Sequence, residues 1–192
     1  MNPFGQVPVI NDNGFYMSES RAISQYLCNE YAPDNNLYPR DPKKRAIVDR
    51  ILSFDAGSYL PSLKQIYVNI YFSVFSIKNF NYFLFLKWPL FYLDKTPEQD
   101  KVNELKKNLS KLDSFLMNNK YFAGDHLTIA DLSIYASLVN LIRIKLDLTD
   151  FPNFKSWFER LPKEFPYIDK VHANIEDGYK ELKPKIKAYF SK

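Results

Sequence analysis

The segment NPFGQVPVINDNGFYMSESRAI, residues 2–23, contains two short apolar runs on either side of a turn. Residues 7–10 and 15–17 are predicted strands, and residues 11–14 supply the Asn and Gly that a tight hairpin turn needs for positive φ. Over residues 18–31 the apolar positions change to helical spacing. The segment therefore predicts a β-hairpin followed by a helix.

This hairpin is a small sheet to stand alone. An isolated two-stranded hairpin is marginal in water, and natural proteins usually pair or cover an open sheet edge. Two interpretations are open at this point. Either the helices that follow cover the hairpin, or further strands of the same sheet precede Met1.

The rest of the chain is helical in pattern. Residues 32–36 end the first helix, and from Pro42 onward the apolar residues recur at helical spacing. Two stripes carry this prediction: Val102, Leu105, Leu109, Leu112 and Leu116, and then Leu132, Tyr135, Leu138, Val139 and Ile142. We predict an α+β fold, with a β-hairpin and helix in residues 1–33, a linker in 34–41 and an all-α helical bundle in 42–192.

Composition excludes several classes of function. The chain has 192 residues, 46% of them hydrophobic, which is enough to bury a real core. Its net charge of +4 is scattered, so we expect no nucleic-acid partner. Cys28 is the single cysteine, and His126 and His172 have no metal-ligand spacing to it, so we expect neither a disulfide nor a metal. A cytoplasmic, metal-free protein is the default.

One apolar segment raises the possibility of a membrane span. Residues 66–93 are mostly aromatic and aliphatic, but Lys78 and Lys87 interrupt them. A charge in the middle of a spanning helix costs about 2.5 to 3.5 kcal/mol. Residues 1–5 also lack the basic start and apolar run of a leader. We therefore expect no membrane partner.

Five short motifs identify a family. They are Asn-Pro-Phe-Gly-Gln-Val-Pro at 2–8, Glu-Ser-Arg-Ala-Ile at 19–23, Leu-Tyr-Pro at 37–39, Ala-Gly-Asp at 123–125 and Leu-Thr-Ile-Ala-Asp at 127–131. From residue 2 to about residue 166 the chain resembles cytosolic glutathione transferases, most closely the insect delta and epsilon classes. The opening motif is closer to plant phi or theta forms, and Gly5 stands where delta proteins often have a histidine.

The resemblance implies a fold and a function. Residues 1–33 would be part of a thioredoxin-like glutathione-binding domain, and residues 42–192 the helical domain of the family. The family conjugates the thiol of glutathione, its substrate, to small hydrophobic electrophiles in detoxification, without a metal. We expect a homodimer, because the partial first domain would otherwise expose an apolar hairpin face.

The strand side of the glutathione site falls on Gln6, Val7 and Pro8. Glutathione is an extended anionic tripeptide, and an exposed strand edge can bind its backbone. The resemblance implies that the Val7–Pro8 bond is cis and that the N–H and C=O of Val7 meet the cysteinyl part of the ligand. Because Gly5 replaces the usual histidine, Gln6 is the expected polar partner.

The helix side of this site falls on Glu19, Ser20 and Arg21. A helix N-terminus offers unpaired N–H groups to a carboxylate, and Ser20 adds a hydroxyl for the γ-glutamyl carboxylate. We expect Glu19 to hold the γ-glutamyl ammonium group and Arg21 an outer carboxylate. The alternative is a capped helix with a surface ion pair, and the resemblance favours binding.

Two further sets of residues match family positions. Tyr59, Leu63 and Tyr67 match helix positions that face the electrophile, although aromatics at helical spacing are more often core. Thr128 and Asp131 form a predicted capping box, in which the Thr128 hydroxyl meets the N–H of Asp131 and the Asp131 carboxylate reaches back to Thr128. We assign the capping box to folding and not to catalysis.

The residue that activates the thiol has no counterpart in this sequence. In the insect classes a serine just after the first strand stabilises the thiolate, whereas residues 1–4 contain no hydroxyl. We expect this serine upstream of Met1, no catalytic residue in the chain as written, and little or no conjugating activity from it. The alternative function is a non-catalytic relative that serves as a protein-interaction module.

Residues 68–87 form an aromatic-rich insertion of unusual composition. They contain no Gly, Ala, Pro, Arg, Asp or Glu, and their abundant Phe, Asn, Ile, Tyr and Lys have codons rich in A and T. A valine codon begins with GT and a lysine codon can end in AG, as an intron does. We predict a translated intron, and the alternative is a genuine insertion that forms a helical extension or membrane patch.

Overall fold

The computed structural model describes residues 5, 7–68, 98–143, 146–168, 170, 180 and 184. The chain forms two compact units. The first consists of Met1–Asp55 and Asn118–Ala136, and the second of Ala56–Met117 and Ser137–Lys192. The division into domains at a linker in residues 34–41 stays a prediction.

The hairpin forms as the sequence predicts. Strand β1, Val9–Asp12, pairs antiparallel with strand β2, Phe15–Ser18, so that Val9 faces Ser18 and Asp12 faces Phe15. The turn residues Asn13 and Gly14 both have positive φ, 49° and 94°, as two-residue hairpin turns require. The Gly14 N–H donates to Asn11 Oδ1 at 2.9 Å and closes the turn.

Two helices complete most of the first unit. Helix α1, Ser20–Tyr31, buries Ile23 and Cys28, and helix α2, Pro42–Phe54, buries Val48, Ile51 and Leu52. Helix α2 begins at a proline, and the Asp41 carboxylate caps it by accepting the Lys44 N–H at 2.9 Å. The Gln25 amide of α1 and the Tyr38 hydroxyl both donate to Asp49 of α2, each at 2.9 Å. These bonds connect the two helices.

The remaining described elements are also helical. A π-helical segment, Asp55–Tyr59, follows α2 directly and leads into helix α3, Leu60–Val68. Helix α4 is Gln99–Leu116, helix α5 is Ile129–Arg143 and helix α6 is Pro152–Glu164. From Pro42 onward, the described residues form no β structure except a single bridge between Tyr121 and Gly124. This agrees with the predicted all-α character.

The core of the second unit follows the predicted stripe on α4. Leu105, Leu109 and Leu112 are fully buried and Leu116 nearly so, while Val102 at the helix start is half-buried. Helix α6 packs against α4 and contributes Phe154, Trp157 and Leu161 to the buried set. The Asp113 carboxylate of α4 accepts the Phe154 N–H at 2.9 Å, which satisfies a donor in the first turn of α6.

Several sequence predictions fall outside the described residues. The proposed insertion at 68–87 is described only at Val68, the last residue of α3.

No helix within the described ranges is both long and apolar enough to cross a membrane. Those ranges also bring together no group of three or more metal-ligating side chains.

Candidate functional site

The open end of the hairpin brings the two predicted halves of the site to the same place. Val7 and Pro8 come just before β1, while Glu19 and Ser20 come just after β2. Because Val9 pairs with Ser18, the start of β1 and the end of β2 are neighbours. The Val7–Pro8 bond is cis, and Val7 is 86% exposed. Gln6 lies outside the described residues.

The N-terminus of α1 has an unusual entry. Glu19 has φ 73° and ψ 102°, a left-handed conformation that costs a residue with a side chain about 1 to 3 kcal/mol. Its side chain is exposed and forms no capping hydrogen bond to the helix. The first N–H groups of a helix have no intrahelical acceptor. The first turn of α1, with the half-buried Ser20 at its start, can therefore bind a carboxylate.

A buried ion pair holds this helix end. Asp55 is fully buried, and its Oδ2 accepts from Arg21 Nη2 at 2.6 Å and from Arg21 Nε at 3.0 Å. The same oxygen accepts from Ser133 Oγ of α5 at 2.5 Å. Arg21 also approaches Ser20 Oγ, at 3.4 Å from Nη1. Three polar side chains from distant parts of the sequence thus fix the first turn of α1.

This ion pair gives the Arg21 guanidinium a partner inside the protein. Its guanidinium is directed at Asp55, and the Arg21 side chain is only 22% exposed. The binding of an outer carboxylate by Arg21 therefore stays a prediction, and the observed partner is internal. Asp55 Oδ1 is buried and has no hydrogen-bond partner among the described residues. All the donors around the carboxylate converge on its other oxygen.

Sequence reasoning missed Asp55 and Ser133. Asp55 lies four residues after Ile51 and seven after Val48, on the same helical face as these two buried side chains. A carboxylate at a core position needs a charged or hydrogen-bonding partner. That pattern could have identified Asp55 as buried, whereas nothing in the sequence pointed to Ser133.

A second polar cluster at the turn end of the hairpin was also missed. Asp12 Oδ2 accepts from the hydroxyls of Tyr26 and Tyr31 of α1, at 2.5 Å and 2.6 Å. These two hydrogen bonds hold the pKa of Asp12 below its usual value. The bond to Asp12, together with burial, raises the pKa of Tyr26 to about 12. We call Asp12, Tyr26 and Tyr31 the tyrosine clamp.

Cys28 is not a reactive thiol of this site. It lies in α1 with 9% of its surface exposed, and burial raises the pKa of its thiol. A raised pKa leaves less of the nucleophilic thiolate at neutral pH. Cys28 is therefore a core residue.

The residues predicted for the electrophile are deeply placed. Tyr59 and Leu63 are fully buried in the second unit, and the side chain of Tyr67 lies outside the described ones. Burial of this kind is what core residues show. Their contribution to an electrophile pocket stays a prediction.

The capping box at the start of α5 differs in one detail from the expected pattern. Asp131 Oδ2 accepts the Thr128 N–H at 3.0 Å, as expected of the carboxylate. The Thr128 hydroxyl, however, donates to the same oxygen at 2.9 Å, while the Asp131 N–H bonds to the Thr128 carbonyl. Asp131 Oδ1 accepts the Phe122 N–H at 3.1 Å. The motif therefore anchors the loop before α5 as well as the helix start.

Two protein-family models match this chain, one in its N-terminal part and one in its C-terminal part. Residues 1–35 match the glutathione S-transferase N-terminal domain, and residues 75–164 match the glutathione S-transferase C-terminal domain. Glutathione S-transferase D7 of Drosophila melanogaster is 32% identical over 183 residues, which cover 95% of this chain and 73% of that protein.

Solved structures agree. A delta-class glutathione transferase of Nilaparvata lugens matches with a TM-score of 0.75 and 34% identity, over 97% of this chain and 77% of the other. An epsilon-class glutathione S-transferase from the housefly, Musca domestica, matches with a TM-score of 0.71 and 31% identity, over 97% and 76%. The fold is thus that of a thioredoxin-like domain, to which the hairpin and α1 belong, together with a helical domain. The chain belongs to the glutathione S-transferase family of enzymes.

Proposed function

We propose that this chain binds glutathione at the open end of the hairpin, in a protein that joins the glutathione sulfur to small hydrophobic electrophiles. In that reaction the thiol loses its proton, and the sulfur forms a thioether bond as the electrophile loses its leaving group or accepts the sulfur by addition. The proposal assigns backbone recognition to Val7, with Gln6 and Pro8 beside it. It assigns the γ-glutamyl end of the ligand to Glu19 and Ser20.

The observation that carries the proposal is the uncapped start of α1. Glu19 adopts a costly backbone conformation and places no side-chain oxygen on the N–H groups of the first turn. A capping side chain at this position normally contributes about 0.5 to 2 kcal/mol. A helix start without one is suited to a carboxylate ligand, and Val7, which is 86% exposed, lies at the same end of the hairpin.

The Arg21–Asp55–Ser133 cluster supports the same assignment. It fixes the residue that follows Ser20 by bonds of 2.5 to 3.0 Å around a fully buried carboxylate. A binding group held by packed neighbours loses less conformational freedom when the ligand arrives. In this proposal Arg21 supports the helix end.

The test is the affinity for glutathione, measured by titration calorimetry. We expect the Ser20→Ala variant to bind roughly ten-fold more weakly, because one charge-assisted hydrogen bond to a carboxylate is lost. Ser114→Ala is the matched control, since within the described residues the Ser114 hydroxyl bonds the Lys111 carbonyl of its own helix at 2.7 Å. Equal binding by the Ser20→Ala variant and the parent would overturn the assignment of Ser20.

The same titration separates the two candidate functions. A parent chain that fails to bind glutathione under conditions where it is folded would favour the interaction module. Thioether formation with a generic aromatic halide tests the chemical step. The residues assigned above contact parts of glutathione that do not change in the reaction, so their variants should change the affinity for glutathione and not the chemical step.

We also propose that the protein is a cytoplasmic homodimer. The first unit exposes several large apolar side chains, among them Phe15 and Leu27 at 51% and 40% exposure. Exposed apolar groups on neighbouring elements are typical of association surfaces. Sedimentation at micromolar concentration should give twice the chain mass, and a monomer would contradict the dimer.

A further inference from the structure

The hairpin and α1 are connected at two points. The chain joins them at Glu19, and the tyrosine clamp bonds them to each other at the opposite end. Both elements start from the same place, because Glu19 joins the end of β2 to the start of α1. The turn of the hairpin lies at the far end, roughly 13 Å away for a four-residue strand. Tyr26 and Tyr31 lie roughly 9 Å and 16 Å along α1 from Ser20. The distal halves of the two elements can therefore meet.

They meet at Asp12. The carboxylate belongs to the last residue of β1, beside the turn, and one of its oxygens accepts both tyrosine hydroxyls at 2.5 Å and 2.6 Å. The rings of Phe15 and Tyr26 are in contact at the same point, with centroids 5.2 Å apart. Asp12 Oδ1 accepts the Asn13 amide at 3.1 Å, which ties the carboxylate to the turn.

This contact is the main side-chain hydrogen-bond link between the hairpin and α1 in the described residues. At the joint, Glu19 has the left-handed φ of 73° and no side-chain cap. In the described residues, the side-chain hydrogen bonds between the hairpin and the helix therefore lie at the far end and not at the joint. The angle between the hairpin and the helix decides how the Val7 backbone stands relative to the N–H groups of Ser20 and its neighbours.

We propose that the tyrosine clamp of Asp12, Tyr26 and Tyr31 is a positioning set for glutathione, acting at a distance through the angle between the hairpin and α1. This inference rests on the proposed glutathione site and adds residues that do not touch the ligand. A tripeptide must bind the strand edge and the helix start together, so it is sensitive to that angle. Losing the clamp lets the hairpin turn about Glu19 and separates the two halves of the site.

The test uses S-methylglutathione, which has no free thiol, and titration calorimetry at pH 7 with the whole chain. We expect the double variant Tyr26→Phe/Tyr31→Phe to bind about ten-fold more weakly than the parent, since remote positions in a connected network typically change affinity by about two- to thirty-fold. Asp12→Ala should weaken binding to the same extent. The triple variant should be no weaker than Asp12→Ala, because all three changes break one connection.

Two controls separate positioning from general loss of stability. Tyr16→Phe removes an exposed hydroxyl of the same hairpin that contacts only Asn11 within it, at 3.4 Å, and should bind like the parent. Tyr38→Phe removes a hydroxyl that bonds Asp49 in the same unit. It should lower the thermal midpoint while leaving the affinity unchanged.

The outcomes are distinct. Binding by the folded double variant within two-fold of the parent, or penalties that add in the triple variant, would overturn the clamp and leave the glutathione site intact. No binding by the parent chain would overturn the site itself. If the double variant does not fold, the Asp12→Asn variant tests the clamp instead, because it keeps an acceptor oxygen for the tyrosine hydroxyls and removes the charge. We then expect a two- to five-fold weaker complex, and unchanged affinity would contradict the clamp.

Discussion

Two aspartates of the first unit receive several donors on a single oxygen, yet they stand in different surroundings. Asp55 is fully buried and is bound by Arg21 and Ser133. Asp12 is only half-buried, and one of its two tyrosine partners, Tyr31, is 60% exposed. A buried carboxylate that loses its donors keeps its desolvation cost, whereas a surface carboxylate regains water. The two carboxylates accept similar numbers of hydrogen bonds, but breaking the bonds of Asp55 should cost more stability than breaking those of Asp12.

The largest effect should come from removing the cation beside Asp55. We expect Arg21→Met to lower the free energy of unfolding by about 3 kcal/mol, because it leaves a buried carboxylate without its charge partner. Urea unfolding at pH 7 measures this change. The matched control is Lys107→Met, which breaks the exposed pair with Glu104 at 3.3 Å and should cost below about 1 kcal/mol. Equal losses from the two variants would refute the difference drawn from burial.

A smaller effect should follow at the third carboxylate, Asp131. This side chain is fully buried and accepts the N–H groups of Phe122 and Thr128 at 3.1 Å and 3.0 Å. Asp131→Ala leaves these two N–H groups, and the Thr128 hydroxyl that donates to the same carboxylate at 2.9 Å, without their acceptor but leaves no unpaired charge. We therefore expect a loss of about 2 kcal/mol in urea unfolding. A loss larger than that of Arg21→Met would mean that the buried ion pair is not the more costly one to break.

The smallest effect should come from the tyrosine clamp, and alkaline pH should reveal it. Tyr26 has a pKa of about 12 in the folded chain and about 10 when unfolded, so its bond to Asp12 contributes fully below pH 10 and is lost as the pH rises to 12. The thermal midpoint of the parent should exceed that of Tyr26→Phe at pH 8, and the gap should close by pH 12.

Another tyrosine with a raised pKa does not disturb this comparison. Burial and a bond to Asp49 raise the pKa of Tyr38 to about 12, but Tyr38 is present in both proteins and cancels from the gap. The contribution of Asp12 to stability has the opposite pH dependence to that of Tyr26. The pKa of Asp12 lies below its usual value, so its contribution is present at neutral pH and is lost only as the pH falls through that lower value. A gap that stays constant from pH 8 to 12 would contradict the bond between Tyr26 and Asp12.

Sequence patterns located the elements well because their causes are local. Asn13 and Gly14 specify the hairpin turn, and leucines at three- and four-residue spacing specify α4. The residues assigned to glutathione also lie within 16 positions of each other, between Gln6 and Arg21. A short motif can therefore carry them.

The tertiary partners of these residues could not be predicted from sequence patterns. Arg21 was expected to face a ligand, yet its nearest acceptor is 34 residues further along the chain, and that acceptor meets Ser133 another 78 residues on. Asp12 meets Tyr26 and Tyr31 across the angle between a hairpin and a helix. No periodicity encodes such pairs, because they depend on how separate elements pack.

The amino-acid sequence by itself determined the hairpin, the helices and the family, since turn propensity, helical periodicity and short motifs act over a few residues. Only the tertiary structure decided that Arg21 is neutralised inside the first unit, that Tyr59 and Leu63 are buried, and that Asp12 connects the hairpin to α1. The physical reason is burial. Whether a charge, a ring or a hydroxyl faces water or a neighbour is fixed by elements that fold against it from far along the chain.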